Sequence, residues 1–318
     1  MENTMSDIII SEFMDEAAVE TLKLEFSVIF DPTLVEDPER LLALGQGVRG
    51  LIVRNRTQVN DALLANFPDL QVVGRLGVGL DNIDLNACAA RGVEVKPAMG
   101  GNGSSVAEYV IGGALMLRRS AYFSSATMLT GKWPRQALIG NEVCGSVLGL
   151  VGFGVIAQEI AHRALALGME VIAFDPHLAG EHHAWKNIGR CDSLESLLDE
   201  ADVISLHVPL TEETFHLIDT ACLKRFKTTA VLINAARGGI VDEVALANIL
   251  REGGLAGAML DVFEQEPLRA KSVFEGIPNV ILTPHIAGVT KESNARISQM
   301  TVDNVCAVLA RRLGGAGK

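Results

Sequence analysis

Apolar residues fall in short unbroken runs along most of the chain, and between the runs they recur every three or four positions. Residues 7–10, 26–30, 50–53 and 71–76 are runs of the first kind, rich in Ile, Val, Leu and Phe, and each predicts a strand. Residues 16–24 and 60–66 have helical spacing. The alternation restarts at 146–151 and 170–174 and continues through 202–206, 230–234, 255–259 and 280–282. Strands that are apolar on both faces, with helices between them, predict parallel sheets covered on either side. The expected fold is α/β: two doubly wound parallel-sheet domains with a cleft between them. A long helix over 104–130 joins the two blocks, and another over 291–313 follows Pro284 and could return to the first block.

At 318 residues the chain is long enough for two domains, each with its own core. It carries 27 Lys and Arg against 39 Asp and Glu, and this acidic balance disfavours broad contact with nucleic acid or an anionic membrane. An anionic small molecule is not excluded, because a few arginines in a cleft reverse the local field. The five cysteines, Cys88, Cys144, Cys191, Cys222 and Cys306, are scattered without C-x-x-C spacing. Neither a disulfide framework nor a zinc ribbon is indicated, and a reducing compartment, the cytoplasm, is expected. The start of the chain is acidic at Glu2, Asp7, Glu12, Asp15 and Glu16, without the basic-then-apolar order of an export leader. No apolar stretch reaches the length of a membrane span. His177, His182 and His183 lie near Cys191 but lack the compact spacing of a metal site, so no metal is expected.

The strongest local signal begins at Ser146. A strand-like run to Val151 passes straight into Gly152-Phe-Gly-Val-Ile-Ala157, a G-x-G-x-x-A, and helical spacing follows over 155–167. Gly152 permits a tight turn, and Gly154 lets backbone N–H groups approach a pyrophosphate at the positive end of the helix. Ala157 is small enough for close packing of helix on strand. The next strand, 170–174, ends at Asp175, about 20 residues on, where a carboxylate can hold both hydroxyls of a ribose. Asp175 would repel a 2′-phosphate, and Pro176-His-Leu178 offers no arginine to neutralise one. The expected cofactor is NAD rather than NADP.

Three ionisable residues stand just beyond later strands. Arg237 lies in Asn234-Ala-Ala-Arg-Gly-Gly239, Glu266 in Asp261-Val-Phe-Glu-Gln-Glu-Pro267, and His285 in Thr283-Pro-His-Ile-Ala-Gly288. The carboxyl ends of strands in an open parallel sheet face the ligand crevice, so all three can converge beside the cofactor. Hydride transfer to a carbonyl needs a proton donor and a cation on the developing oxyanion, which His285 and Arg237 can supply. Taken singly, each has a bland reading: a surface charge for Arg237, the start of a turn for Glu266 and the cap of a turn for His285; Asp261 has one as well, a helix cap.

Together with Gly74-Arg-Leu-Gly-Val-Gly-Leu-Asp-Asn-Ile-Asp84, Ser105-Val-Ala-Glu108 and His207-Val-Pro-Leu-Thr211, these segments resemble the NAD-dependent D-2-hydroxyacid dehydrogenase family, which includes phosphoglycerate, glycerate and D-lactate dehydrogenases. The resemblance spans nearly the whole chain. It implies two Rossmann-like or flavodoxin-like domains, residues 1–103 with about 291–318 binding substrate and residues 104–290 binding NAD. It also implies a homodimeric enzyme that moves a hydride between NAD(H) and C2 of a small 2-oxo or 2-hydroxy acid of D (usually R) configuration.

In the family pattern His285 is the acid in reduction and the base in oxidation, Glu266 holds its imidazole, and Arg237 binds the substrate carboxylate and polarises the C2 carbonyl. Val78 and Gly79 would cradle the carboxylate through their N–H groups, with Arg54 on the same wall. On the cofactor, Gly152, Gly154, Val155 and Ile156 would meet the pyrophosphate and Asp175 the ribose. His207 and Pro209 would line the adenine side, Ala235 and Asp261 would fix the nicotinamide, and Gly288 would lie near its carboxamide. The choice of Glu266 over Glu264 rests on the resemblance. The arginines suggest a polar or anionic side group, as in phosphoglycerate, glycerate or sulfolactate. Tyr109 departs from the Val-Ala-Glu-His frequent in the family, and Ala157 from a third glycine. The alternative from another class is a non-catalytic NAD(H)-sensing, corepressor-like protein of the same fold.

Overall fold

The computed structural model describes residues 6–315, so Glu2 of the acidic start and the last three residues fall outside the description. The chain divides into two compact units, one made of residues up to Asn102 together with those from Val289 onward, the other of Gly103–Gly288.

In the first unit β1 (Ile8–Ile10), α1 (Glu16–Lys23), β2 (Val28–Phe30), α2 (Pro38–Ala43), β3 (Gly50–Val53), α3 (Asp61–Ala65), β4 (Val72–Arg75), α4 (Leu85–Ala90) and β5 (Glu94–Pro97) follow in order. The strands pair in parallel as β2-β1-β3-β4-β5. Successive strand residues point to opposite faces, so Ile8, Ile10 and Val72 bury one way and Ile9, Leu51, Val53 and Val73 the other. Val305, Val308 and Leu309 of the C-terminal helix, Lys291–Gly315, cover the first face, and Leu63 and Leu64 of α3 cover the second.

The second unit runs α5 (Gly103–Arg119), α6 (Ser125–Leu129), β6 (Val147–Val151), α7 (Val155–Ala166), β7 (Glu170–Phe174), β8 (Gly189–Arg190), α8 (Leu194–Glu200), β9 (Val203–Leu206), α9 (Thr220–Leu223), β10 (Val231–Asn234), α10 (Glu243–Arg251), β11 (Gly257–Leu260) and β12 (Val280–Leu282). Its parallel sheet has the order β12-β11-β10-β9-β6-β7-β8. Chain order reverses between β6 and β9, and the crevice outside the carboxyl ends of such a pair is where open α/β sheets bind ligands. β9, β10 and β11 are buried along their whole length, which is why they read as unbroken apolar runs.

The helix expected over 104–130 is broken. α5 stops at Arg119, Ser120 takes a φ of +54°, and short helical turns follow at Ala121–Phe123 and Ser125–Leu129. The cause lies farther along the chain. The Asn141 amide takes the Arg118 carbonyl at 2.7 Å, an acceptor that a continuing helix would need for itself. Among the described residues no helix is long and apolar enough to cross a membrane.

Candidate active site

β6 delivers the chain to Gly152, whose φ of +85° lies where only glycine enters without strain. A Cβ here would also stand 2.6 Å from the His207 carbonyl oxygen, so the turn closes directly on the end of β9. Asp, Asn or Ser side chains cap the N-termini of α1–α4 and α8–α10. α7 differs: its N-cap is Gly154, no side chain caps it, and a Cβ there would meet nothing within 4 Å. The first amides of the helix, from Val155 and Ile156 on, therefore face open space with the helix dipole behind them, which suits a pyrophosphate. Ala157 is fully buried against the sheet.

Asp175, just beyond β7, accepts the Phe153 amide at 2.9 Å through Oδ2 and those of His177 and Leu178 at 2.9 and 3.2 Å through Oδ1. A carboxylate has acceptor capacity beyond three bonds, so ribose hydroxyls can still be taken. The loop that follows folds over the glycine turn: Trp185 stacks on Phe153 with ring centroids 5.0 Å apart, and the Arg190 guanidinium lies 5.6 Å over Trp185. His182 accepts the Ala184 amide through Nδ1, and its ring packs on His183. After β9, His207 Nε2 pairs with Ser205 Oγ at 2.8 Å, and burial pushes its pKa down to about 3, so the imidazole is neutral. Pro209 is exposed. Turn, uncapped helix and terminal acid together fit a dinucleotide.

β10, β11 and β12 are neighbours, with Asn234 opposite Leu260 and Leu260 opposite Leu282, so Arg237, Glu266 and His285 leave the same edge of the sheet. The buried Asn234 side chain shapes the first loop, accepting the Ala236 amide at 3.1 Å and donating to the Arg237 carbonyl at 2.9 Å. Ala235 and Arg237 are half-buried, and Arg237 Nη1 donates to the Ala236 carbonyl at 2.7 Å. A Cβ on Gly238 would stand 1.8 Å from the Phe263 carbonyl oxygen, so the loops carrying Arg237 and Glu266 touch backbone to backbone.

Glu266 Oε1 accepts the Phe263 amide at 3.1 Å, and Oε2 lies 2.7 Å from His285 Nδ1. An ionised carboxylate only accepts, so Nδ1 carries the hydrogen and Nε2 is left to exchange a proton. Glu264 is engaged elsewhere, with His216 Nε2 at 2.9 Å. The His285 and Glu266 side chains are 45% and 35% exposed, open to a substrate.

His285 has a φ of +52°, uncommon for residues other than glycine. Asp261, buried just beyond β11, holds that backbone in place. Its Oδ1 accepts the Thr283 hydroxyl at 2.6 Å and the Ile286 amide at 2.8 Å, and its Oδ2 accepts the Ala287 amide at 2.8 Å. Its carbonyl accepts the His285 amide at 2.8 Å. Gly288, half-buried, follows at once.

In the first unit Val53 pairs with Arg75, so the loops after β3 and β4 share one sheet edge. Glu12 is the residue that sequence reasoning missed there. It is 4% exposed, and its carboxylate accepts the amides of Arg54 at 2.9 Å, Arg56 at 3.2 Å and Thr57 at 3.0 Å. The signal was available, an acid two residues past an all-Ile strand, but it read as part of an acidic start. Arg54 Nη2 donates to Asn294 Oδ1 at 3.0 Å, and burial lowers the guanidinium's pKa without discharging it. Beyond β4 the Val78 and Gly79 amides make no hydrogen bond among the described residues.

A sequence model described as D-isomer specific 2-hydroxyacid dehydrogenase, NAD binding domain, matches residues 111–287. Over 97% of its length the chain is 60% identical to the (S)-sulfolactate dehydrogenase of Chromohalobacter salexigens, which it covers completely. It is 37% identical, over 80% of its length, to the D-3-phosphoglycerate dehydrogenase of Archaeoglobus fulgidus, and that match spans 48% of the longer protein. Among solved structures, the TT0316 protein of Thermus thermophilus has a TM-score of 0.86 at 32% identity, covering 96% of this chain and 97% of that one.

A dinucleotide turn in the same unit as a hydrogen-bonded imidazole–carboxylate pair defines, as a class, a nicotinamide-dependent oxidoreductase. The chain belongs to the D-isomer specific 2-hydroxyacid dehydrogenase family. It is an NAD-dependent oxidoreductase of small 2-hydroxy acids.

Proposed function

We propose that the enzyme interconverts 3-sulfolactate and 3-sulfopyruvate: (S)-3-sulfolactate + NAD+ gives 3-sulfopyruvate + NADH + H+. Two things support this substrate, the 60% identity to a sulfolactate dehydrogenase and the cation Arg54, built into the first unit on a loop wound around Glu12. The (S) label agrees with D geometry. Sulfur makes the sulfomethyl carbon outrank the carboxyl carbon, so the spatial arrangement called R in lactate is called S in sulfolactate.

The observation that carries the chemistry is the 2.7 Å bond between His285 Nδ1 and Glu266. Such a pair suits proton transfer, and the dehydrogenase relatives give the binding-only alternative no support. Bound NADH supplies the hydride for C2. His285 Nε2 gives its proton to the C2 oxygen as the alcohol forms and takes it back in oxidation, while Glu266 offsets the imidazolium charge through Nδ1–H. Arg237 pairs with the carboxylate and draws the charge that develops on the C2 oxygen. The Val78 and Gly79 N–H groups are assigned to the carboxylate and Arg54 to the sulfonate. Val155, Ile156 and the two glycines before them are assigned to the pyrophosphate, His207 and Pro209 to the adenine side, and Ala235, Asp261 and Gly288 to the nicotinamide end. Asp175 favours NAD over NADP, since Pro176-His-Leu178 offers no arginine and the guanidinium of Arg190, on β8, lies over Trp185.

Sulfopyruvate should be reduced by NADH with a kcat/KM about tenfold or more above that for pyruvate, read from the loss of nicotinamide absorbance. Arg54→Gln should cost about 2 kcal/mol, roughly thirtyfold in kcat/KM, toward sulfopyruvate and little toward pyruvate. Equal use of both oxoacids by the unaltered enzyme would remove the sulfolactate assignment and leave the family chemistry standing.

A homodimer formed through residues 121–139 belongs to the same reading, supported by Tyr122, Leu129, Trp133 and Ile139, each 60% or more exposed. Leu129→Asp should then halve the mass found by light scattering, and an unchanged mass would place the interface elsewhere. Five free thiols support a cytoplasmic location.

A further inference from the structure

Tyr109 stands on α5, half-buried, where that helix lies against β10 and β11. Its hydroxyl oxygen is 2.5 Å from Thr283 Oγ1. The direction of this bond follows from the next one. Thr283 has a single hydroxyl hydrogen and donates it to Asp261 Oδ1 at 2.6 Å, so Tyr109 must be the donor to Thr283. The result is a one-way chain, Tyr109 O–H to Thr283 O–H to carboxylate, in a partly buried setting where hydrogen bonds polarise one another.

The chain ends on the group that holds His285. Apart from the Thr283 bond, the Asp261 carboxylate accepts the amides of Ile286 and Ala287, and the Asp261 carbonyl accepts that of His285. His285 sits between these anchors at a φ of +52°. A backbone of this kind persists only where its surroundings over-determine it. We propose that Tyr109 and Thr283 are positioning residues for proton transfer, acting through Asp261 on the backbone that aims His285 at Glu266. Burial, with the Asp261 charge adding to it, pushes the Tyr109 phenol up to about 12, so it remains a donor throughout the working range of the enzyme.

This inference rests on His285 as the acid–base group, and the test separates the two. Thr283→Val removes the hydroxyl that donates to Asp261 and should lower kcat about tenfold in both directions, a larger change than any in KM for NADH, which Asp261 also serves. Tyr109→Phe, which removes only the outer link, should lower kcat about threefold. Thr283→Ser keeps the hydroxyl and should restore most of what Thr283→Val loses. Both single changes act through one chain, so the double variant Tyr109→Phe/Thr283→Val should fall no further than Thr283→Val alone.

Wild-type kcat in both single variants, even with lowered melting temperatures, would reduce the chain to ordinary packing and overturn the proposal. So would strictly additive losses, or a raised KM for NADH at unchanged kcat. Should Thr283→Val fail to fold, the kcat of Tyr109→Phe against that of Thr283→Ser decides the matter. Full turnover by His285→Asn would instead sink the acid–base assignment, whereas an inactive His285→Asn beside wild-type kcat in these variants would sink the hydroxyl chain alone.

Discussion

Exchange of His285 for asparagine is expected to lower kcat for oxoacid reduction by about a hundredfold to ten-thousandfold while leaving NADH affinity unchanged. Asparagine is the informative choice because it is among the few residues that accept a positive φ, and His285 sits at +52°. The loop can then keep its bonds to Asp261, and Glu266 keeps the Phe263 amide. What disappears is the nitrogen to which proton exchange is assigned. Turnover with sulfopyruvate measures the first quantity, and a fluorescence titration with NADH the second. Since one nitrogen is assigned the proton in reduction and in oxidation, turnover should fall in both directions. Turnover by the asparagine variant within a few-fold of wild type would remove His285 from the chemistry.

Arg237→Gln should lower kcat/KM for reduction by about a thousandfold or more. One contribution is the stabilisation of charge on the C2 oxygen, for which loss of a single donor costs about 10²–10³ in rate. Another is the charge-assisted pairing with the carboxylate, about 1.5–3 kcal/mol. The loop itself should survive, because Asn234 holds it through main-chain groups, the Ala236 amide and the Arg237 carbonyl. A melting temperature close to wild type with kcat/KM collapsed is therefore the expected pair of results. Arg237→Lys should recover only part of the loss, since an ammonium cannot span carboxylate and carbonyl with a planar fork. A glutamine variant that kept wild-type kcat/KM would leave the oxyanion without its assigned cation.

The residues beyond the strands were readable because parallel sheets make them so. Runs such as 50–53, 170–174 and 280–282 coincide with β3, β7 and β12, and once a strand's end is known its carboxyl loop is a place to look for chemistry. β5 was not legible: it ends at Lys96 and Pro97, which speak against a strand, and it survives as the outer strand of its sheet, where a missing N–H is tolerated. β8, only Gly189–Arg190, exists through its pairing with Ile172 and Ala173 and has no pattern of its own. The end of α5 was hidden for a similar reason, since its stop comes from Asn141 and not from any breaker near Arg119.

The supporting residues of the site share that property. Glu12 meets its loop 42 positions away, Arg54 meets Asn294 240 positions away, and Tyr109 meets Thr283 174 positions away. Periodicity and motif spacing are local signals and carry no trace of such contacts. Tyr109 was visible as a departure from a family pattern, but only the fold shows what its hydroxyl touches.

The most direct test is a crystal structure of the enzyme with NADH and oxalate, an unreactive stand-in for the 2-oxoacid. His285 Nε2 and the Arg237 guanidinium should both lie within hydrogen-bond reach, about 3 Å, of oxalate oxygens beside the nicotinamide ring, with Glu266 still on Nδ1. Oxalate bound away from His285, or an imidazole turned from Glu266 into solvent, would contradict the assignment of these three groups.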